Sequence, residues 1–409
     1  MNVIIVTDYG LVNGGASKVA LESAIALIPH VEQVHIFFSI GESASVLKKT
    51  PNLRITQLNQ TKVTEQPMSQ SVHGGLWNKE VAKEFSKVLD LYDPKDTIVH
   101  VHSWRDGTTL SFVPEVQRRG FHLIFTAHDF GLACPIAGFF DHRTNSICHL
   151  KGLSRQCLQS KCTNTSIIKK NWFSLRHSMQ VKRAHMPSDL KHLIVVSDLS
   201  RNILQPYLND DTKIHFVPNP IPVEREERVK AEENRTYAFV GRYSPEKGTL
   251  LAARAAQIAD VPIMFIGTGP QASEIRPICP EAEQLGWRKP EEVRKLLKGA
   301  RALIFPSVWY EVQGMVVDEA AAQGIPVIVS DVTAAVEAVD RFKHGSVFES
   351  GNVDALVRRI KEFEHDDVVE SFSRAGYEHY WSAPATMKRH IIELLKVYEE
   401  VLFDSSAAA

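Results

Sequence analysis

Glu311 and Glu319 lie eight residues apart around Gly314, in the stretch Ser307-Val308-Trp309-Tyr310-Glu311-Val312-Gln313-Gly314-Met315-Val316-Val317-Asp318-Glu319. On one continuous helix that spacing would set the two carboxylates about 80° apart. An apolar run at 302–305 ends at Pro306, however, so Glu311 falls in a loop and Gly314 precedes a helix expected over about 315–323. The two carboxylates can then address different ends of one ligand. The free amides at the helix start, at Met315 and Val316 after Gly314, form an anion site. Two glutamates taken alone are more often solvated surface charges. The strand-end setting and the glycine favour a ligand role.

A second constellation is Gly241-Arg242-Tyr243-Ser244-Pro245-Glu246-Lys247-Gly248. Arg242 ends an apolar run and Lys247 stands just before a helix. Two cations at this spacing can neutralise a diphosphate without metal, Arg through its fork and Lys as a point charge. The plainer reading is a surface loop whose cations pair with Glu246. Near the N-terminus Asn13-Gly14-Gly15-Ala16 opens the first helix, and Gly15 there allows close backbone approach to a phosphate or sugar. It lacks the G-x-G-x-x-G spacing of a dinucleotide site, which sets a nicotinamide dehydrogenase aside. His128 and Asp129 end another apolar run, where the histidine could bond a sugar hydroxyl or donate to a leaving oxygen. A buried structural histidine is the alternative.

Cys134, Cys148, Cys157 and Cys162 are spaced C-x13-C-x8-C-x4-C. Four cysteines this close suit a structural zinc with four thiolates and no open position. Reduced thiols and disulfides are the other readings, disulfides the least suited to a cytosolic setting. Cys279 reads as an isolated thiol. Downstream, Lys169, Lys170, Arg176, His177, Lys182, Arg183 and His185 accompany Ile167, Ile168, Trp172, Phe173, Leu175, Met179 and Val181. This segment reads either as a basic amphipathic helix on an anionic membrane or as an ordinary helix packing its apolar face inward, and the second is favoured.

These residues need elements to hold them. Apolar, β-branched runs at 3–7, 34–39, 53–58, 97–102, 123–128, 193–197 and 214–218 alternate with helix-period segments. The pattern restarts at 237–242, 262–267, 302–307 and 326–331. Continuous apolar runs suit parallel strands buried on both faces, hence a doubly wound α/β architecture. Three prolines within 218–222 and the charged stretch 224–235 place a boundary near 222. The expected organisation is two Rossmann-like domains, 1–222 and 223–380, facing a deep cleft. A cysteine-rich insert falls at about 130–190, and a final helix over 381–404 returns to the first domain. The chain has 409 residues, enough for two cores, and its net charge of −1 gives no global pull toward nucleic acid. No charged and apolar leader opens it and no apolar run reaches about 18 residues, so a cytoplasmic protein is expected. Residues 405–409 read as an appended tail.

The ordered set Gly14-Gly15, Thr126-Ala127-His128-Asp129, Val217-Pro218-Asn219, Gly241-Arg242 with Glu246-Lys247-Gly248, and Glu311/Glu319 with Gly324-Ile325-Pro326 resembles the family 4 retaining glycosyltransferases (glycosyl transferases group 1, GT-B fold). The likeness covers nearly the whole chain. It implies metal-independent transfer of a hexose from a nucleotide-diphosphate sugar to a glycan or lipid-linked acceptor, in bacterial surface polysaccharide synthesis. Arg242 and Lys247 would hold the diphosphate, with the amides after Gly314 helping on phosphate. Glu319 would bind the ribose, and the base would lie near Leu285-Gly286-Trp287. Glu311 and His128 would lie at the transferred sugar, and Gly15 would approach the phosphate or acceptor. The enzyme would sit in the cytoplasm, peripheral at the inner face of the membrane, and would need no cofactor beyond a structural zinc. Two positions depart from the pattern. Gln313 replaces a phenylalanine, a change that bears on sugar selectivity, and Asp318, read as a surface residue, stands where an apolar residue is usual. The rival functions are a nucleotide-sugar epimerase or phosphorylase of the same fold, or a catalytically silent nucleotide- or sugar-binding partner.

Overall fold

The computed structural model describes residues 1–65, 74–164 and 166–407. Its first sheet has seven parallel strands: β1 (Asn2–Tyr9), β2 (Gln33–Ile40), β3 (Leu53–Gln60), β4 (Thr97–Val101), β5 (His122–Ala127), β8 (His192–Val195) and β9 (Lys213–Phe216). Their order is β3-β2-β1-β4-β5-β8-β9. Between β5 and β8 lies the insert, which carries the small antiparallel pair β6 (Phe140–Asp141) and β7 (Ser146–Ile147). The second sheet, also parallel, has six strands: β10 (Thr236–Val240), β11 (Ile263–Ile266), β12 (Glu283–Gly286), β13 (Ala300–Phe305), β14 (Val327–Ser330) and β15 (Gly345–Phe348). Their order is β12-β11-β10-β13-β14-β15. Both halves are therefore Rossmann-like, as the alternation of runs and helices required.

The alternation of side chains along β1 shows why such runs are wholly apolar. Ile4 and Val6 join one buried cluster with Phe37, Phe85 and Phe112. Val3 and Ile5 point the other way, into a cluster with Ala20, Leu21 and Phe38. Neither face of the strand meets water, so each residue gains about 1.5–3 kcal/mol from burial.

The last helix, Met387–Ala407, crosses back to the first sheet. Ile391, Leu394, Val397, Tyr398 and Val401 join the cluster of Val3 and Ile5, a spacing that puts them on one helical stripe. Tyr398 Oη lies 2.7 Å from His100 Nδ1 on β4. His390 on the same helix lies 2.9 Å from the Pro218 carbonyl and 3.1 Å from Ser23 Oγ.

Candidate active site

The carboxyl ends of β10 and β13 meet through a close backbone contact. Gly248 sits at φ +68°, and a Cβ built there would come within 2.1 Å of the Pro306 carbonyl. Only glycine fits, and the contact seats the Glu246-Lys247 turn against the loop that follows β13. The Lys247 ammonium pairs with Glu311 Oε1. Trp309 Nε1 donates to the same oxygen at 2.7 Å, and Ser307 Oγ lies 3.1 Å from it. Lys247 Nζ also stands 5.2 Å from the Trp309 ring centre. Glu311 is buried, so three groups fix one carboxylate at the strand end, and charge-assisted bonds of this kind are the strong ones.

Arg242 pairs instead with the buried Glu246, as the plainer reading of the loop expected for that cation. Its side chain is 62% exposed, so the guanidinium keeps free donors. It lines a cavity of about 440 Å³ with Gly241, Gly267, Thr268, Trp287 and Arg288, beside the Trp287 position named for the base. Glu319, on the helix Met315–Gln323, makes no side-chain hydrogen bond or ion pair among the described residues. Burial raises its pKa, while Arg294 and Lys18 act in the opposite sense.

A larger cavity of about 490 Å³ opens in the first half of the chain. Asp8, Gly14, Gly15, His102, Arg105, His128 and Asp129 are among the residues lining it. Asp8, the next-to-last residue of β1, accepts from the amides of Asp106, Gly107 and Thr108 at 2.9–3.0 Å, which fixes the loop after β4. His128 Nε2 lies 2.9 Å from His102 Nδ1, with the rings stacked. Burial, reinforced by His390, lowers the His128 pKa to about 3. The imidazole is thus neutral at neutral pH. It can bond a hydroxyl but is poorly placed to protonate a leaving oxygen, which narrows the two roles its sequence position allowed.

The two walls touch at several points. A Cβ on Gly15 would stand 3.1 Å from Met315 Cε, at the start of the helix after Gly314. Glu337 Oε atoms accept from the Asp198 and Leu199 amides at 3.0 and 2.8 Å, capping the helix Asp198–Leu204 from the other half. Phe130 and Phe140 of the insert meet Tyr310 and Trp309 edge-to-face. The larger cavity is lined by first-half residues alone, and Lys247, Glu311 and Glu319 line neither it nor the Arg242 cavity.

The two departures from the family pattern prove to be bonded to each other. Gln313 Nε2 donates to Asp318 Oδ2 at 3.3 Å, while Gln313 Oε1 accepts from the Asn219 amide at 3.1 Å. Asp318 is buried, not a surface residue, and burial pushes its pKa up to about 6. A lone carboxyl in that place would be costly, and Gln313 supplies its partner.

In the insert, Cys134, Cys148, Cys157 and Cys162 line one small cavity of about 10 Å³ together with Lys170. All are free thiols, and burial raises the pKa of Cys134, Cys148 and Cys157. Among the described residues no group of three or more His, Cys, Asp or Glu is arranged to hold a metal ion. The four residues converge without forming a finished ligand set.

The helix Ile167–Ala184 corrects the favoured reading of that segment. It turns Lys170, Ser174, Arg176, His177 and Gln180 inward and leaves Ile167, Ile168 and Leu175 exposed. Lys170 Nζ is held by the carbonyls of Cys157 and Leu158. Arg176 Nε donates to the Gly75 carbonyl at 2.6 Å. Backbone acceptors on the insert and on a neighbouring loop thus receive cations that periodicity alone assigns to solvent.

Sequence reasoning missed Trp309, Asp8, His102 and Arg105. Trp309 carried a usable signal, an indole two residues before a strand-end glutamate. The others depend on which loops meet.

Residues 220–379 match the family model described as Glycosyl transferases group 1. Over 191 residues, 40% of this chain, the sequence is 24% identical to a UDP-Gal:alpha-D-GlcNAc-diphosphoundecaprenol alpha-1,3-galactosyltransferase of Escherichia coli. Over 232 residues, 52% of the chain, it is 26% identical to a phosphatidyl-myo-inositol mannosyltransferase of Mycobacterium leprae. The aligned stretches span 49% and 60% of those curated relatives. Among solved structures, HepE of Anabaena in complex with UDP superimposes with a TM-score of 0.67 at 14% identity, covering 98% of this chain and 100% of that one. A glycosyltransferase of Rickettsia africae gives 0.67 at 15% identity, covering 98% of each chain. At such identity the likeness is one of fold, and that fold is GT-B.

Proposed function

Since residues 220–379 belong to glycosyl transferases group 1, we propose that the chain is a retaining glycosyltransferase that moves a hexose from a nucleotide-diphosphate sugar to a glycan or lipid-linked acceptor. The observation that carries this reading is the Lys247–Glu311 pair, set by Gly248 against Pro306 at the carboxyl ends of β10 and β13. Ligands of open α/β sheets bind at such ends.

In this reading Arg242 and Lys247 bind the donor diphosphate, and the amides of Met315 and Val316 after Gly314 add to it. Glu319, whose carboxylate makes no bond among the described residues, takes the ribose hydroxyls. Glu311 faces the sugar, and neutral His128 bonds one of its hydroxyls from the opposite wall. Gly15, against Met315, admits the phosphate or acceptor. The C1–O bond to phosphate breaks with its electron pair leaving on the diphosphate. The acceptor oxygen bonds C1 on the same face, and its proton passes to the departing phosphate oxygen. Charge on the leaving group is met by Arg242 and Lys247, so no metal is asked for.

The division into 1–222, 223–380 and 381–404 belongs to this proposal, the first part presenting the acceptor. No helix among the described residues is long and apolar enough to cross a membrane. Exposed Ile167, Ile168 and Leu175 beside Lys169, Lys182 and Arg183 support peripheral contact of a cytoplasmic enzyme with an anionic membrane during surface polysaccharide synthesis. The functional test is turnover of UDP-, GDP-, ADP- and dTDP-hexoses with candidate acceptors and analysis of the anomer formed. An inverted product would overturn the retaining assignment.

A further inference from the structure

Arg176 is a buried cation without a carboxylate partner among the described residues. Arg176 lines the 490 Å³ cavity. Nε is spent on the Gly75 carbonyl, and the carbon at the centre of the guanidinium stacks 5.7 Å from the Trp172 ring centre. Nη2 has no hydrogen-bond partner, and Arg176 forms no ion pair among the described residues. Burial lowers its pKa to about 10, which still leaves it charged at neutral pH. The segment 66–73 contains no Asp or Glu. An unpaired buried charge costs several kcal/mol, and folds retain one where a ligand brings the counter-ion.

Two further unpartnered nitrogens belong to the same cavity wall. Trp172 Nε1 and His102 Nε2 are buried without partners among the described residues, and both residues line the cavity with Arg176. The neighbouring charges do not cancel the arginine. Lys62 pairs with Asp106 at 3.2 Å and Arg105 with Asp129 at 3.7 Å, so those cations and carboxylates neutralise each other. Asp8, bonded to three backbone amides, and Asp106 both favour the charged form of Arg176, but neither forms an ion pair with it among the described residues. Lys169 at the cavity rim adds positive charge.

We propose that this wall is the acceptor subsite and that it recognises an anionic group on the acceptor, a phosphate or a carboxylate, through Arg176 Nη2 and Trp172 Nε1. The inference rests on the glycosyltransferase reading and narrows it, since neutral glycans would leave Arg176 unpaired. The reversed helix Ile167–Ala184 then has a purpose: it turns its polar face inward to build the site.

Calorimetric titration of the full chain with N-acetylglucosamine 1-phosphate, glucuronate and neutral N-acetylglucosamine tests it, with UDP titrated in parallel. Tighter binding of the sugar phosphate supports a phosphate-bearing acceptor, and tighter binding of glucuronate a carboxylate-bearing one. Arg176→Gln should weaken the anionic probe at least tenfold while leaving UDP affinity unchanged, and Arg176→Lys should recover part of the loss. Trp172→Phe, which keeps the ring and removes Nε1, should weaken the anionic probe severalfold if Arg176→Gln fails to fold. Equal binding of charged and neutral sugars, or anion binding indifferent to both substitutions, overturns the proposal. UDP binding without anion binding sinks the subsite and leaves the transferase reading standing. Anion binding without any nucleotide binding does the reverse.

Discussion

The Lys247 ammonium is already paired with the Glu311 carboxylate, although one residue follows β10 and the other follows β13. A donor diphosphate must therefore compete with Glu311 for this cation or share it. Removing Lys247 takes away an ionic bond to phosphate, worth about 1.5–3 kcal/mol, or roughly 10–100-fold in affinity. Lys247→Ala should weaken nucleotide binding by that factor. Glu311→Gln should leave nucleotide binding unchanged or tighter, because the lysine is released, while turnover falls. Calorimetry with each variant reads the first, and product formation reads the second. Weaker nucleotide binding in Glu311→Gln would mean that the carboxylate organises the donor site rather than the sugar.

Gln313 and Asp318 should be energetically coupled. Gln313→Phe leaves the buried Asp318 carboxyl without its donor, a loss of about 1–3 kcal/mol. Asp318→Leu removes that need, so the double substitution should be less destabilising than the two single changes summed, by about 1 kcal/mol. Urea unfolding of the four proteins measures it. Strict additivity would show that the bond contributes nothing.

Acid should unfold the protein early. Burial lowers the pKa of His100, His128 and His177 to about 3 and of His35, His344 and His390 to about 4, against 6.5 in an open chain. Between pH 6.5 and 4 the unfolded chain binds protons that the folded one refuses, so stability is complete above 6.5 and falls as pH drops. Each histidine contributes at most about 1.4 kcal/mol per pH unit in that window. Asp8, Glu22, Asp318 and Glu319 work the other way, since burial raises their pKa values and so favours the folded state as pH falls, but these four carboxyls are outnumbered by the six histidines. Tm should fall steeply from pH 7 to pH 5, and a flat profile would contradict the burial of these imidazoles.

The zinc proposal for Cys134, Cys148, Cys157 and Cys162 expects stoichiometric zinc in protein purified without chelator. Its removal should lower Tm and free the four thiols to a disulfide reagent. Metal-free protein in which all five cysteines titrate after denaturation would leave a cavity of reduced cysteines.

What the sequence made legible follows from burial. The central strands of both sheets announce themselves as continuous apolar runs, because helices cover both faces, whereas the edge strands β3 and β9 of the first sheet are only half-buried and show as mixed apolar and polar runs. The runs overshot at their ends, where His102 and His128 lie just past β4 and β5. The edge strands β12 (Glu-Gln-Leu-Gly) and β15 (Gly-Ser-Val-Phe) escaped notice, since each pairs on one side only and carries polar or small residues. Glu311 and Lys247 could be named from strand-end position, but their pairing across 64 residues could not. The orientation of the helix Ile167–Ala184 was illegible for a different reason. Its inward cations are satisfied by carbonyls of Cys157, Leu158 and Gly75, which only the folded insert and loop bring near. Asp318 looked like a surface residue because its partner Gln313 was not recognised as one.

The donor site is the centre of the account, and thermal unfolding of the wild-type chain against UDP, GDP, ADP and dTDP, repeated with Glu319→Ala, tests it most directly. One nucleotide series should raise Tm, by the stabilisation that saturating ligand confers on the folded state. Glu319→Ala should lose most of that shift at equal concentration. No shift with any nucleotide, or a shift untouched by Glu319→Ala, would contradict the placement of the nucleotide at the carboxyl ends of the second sheet.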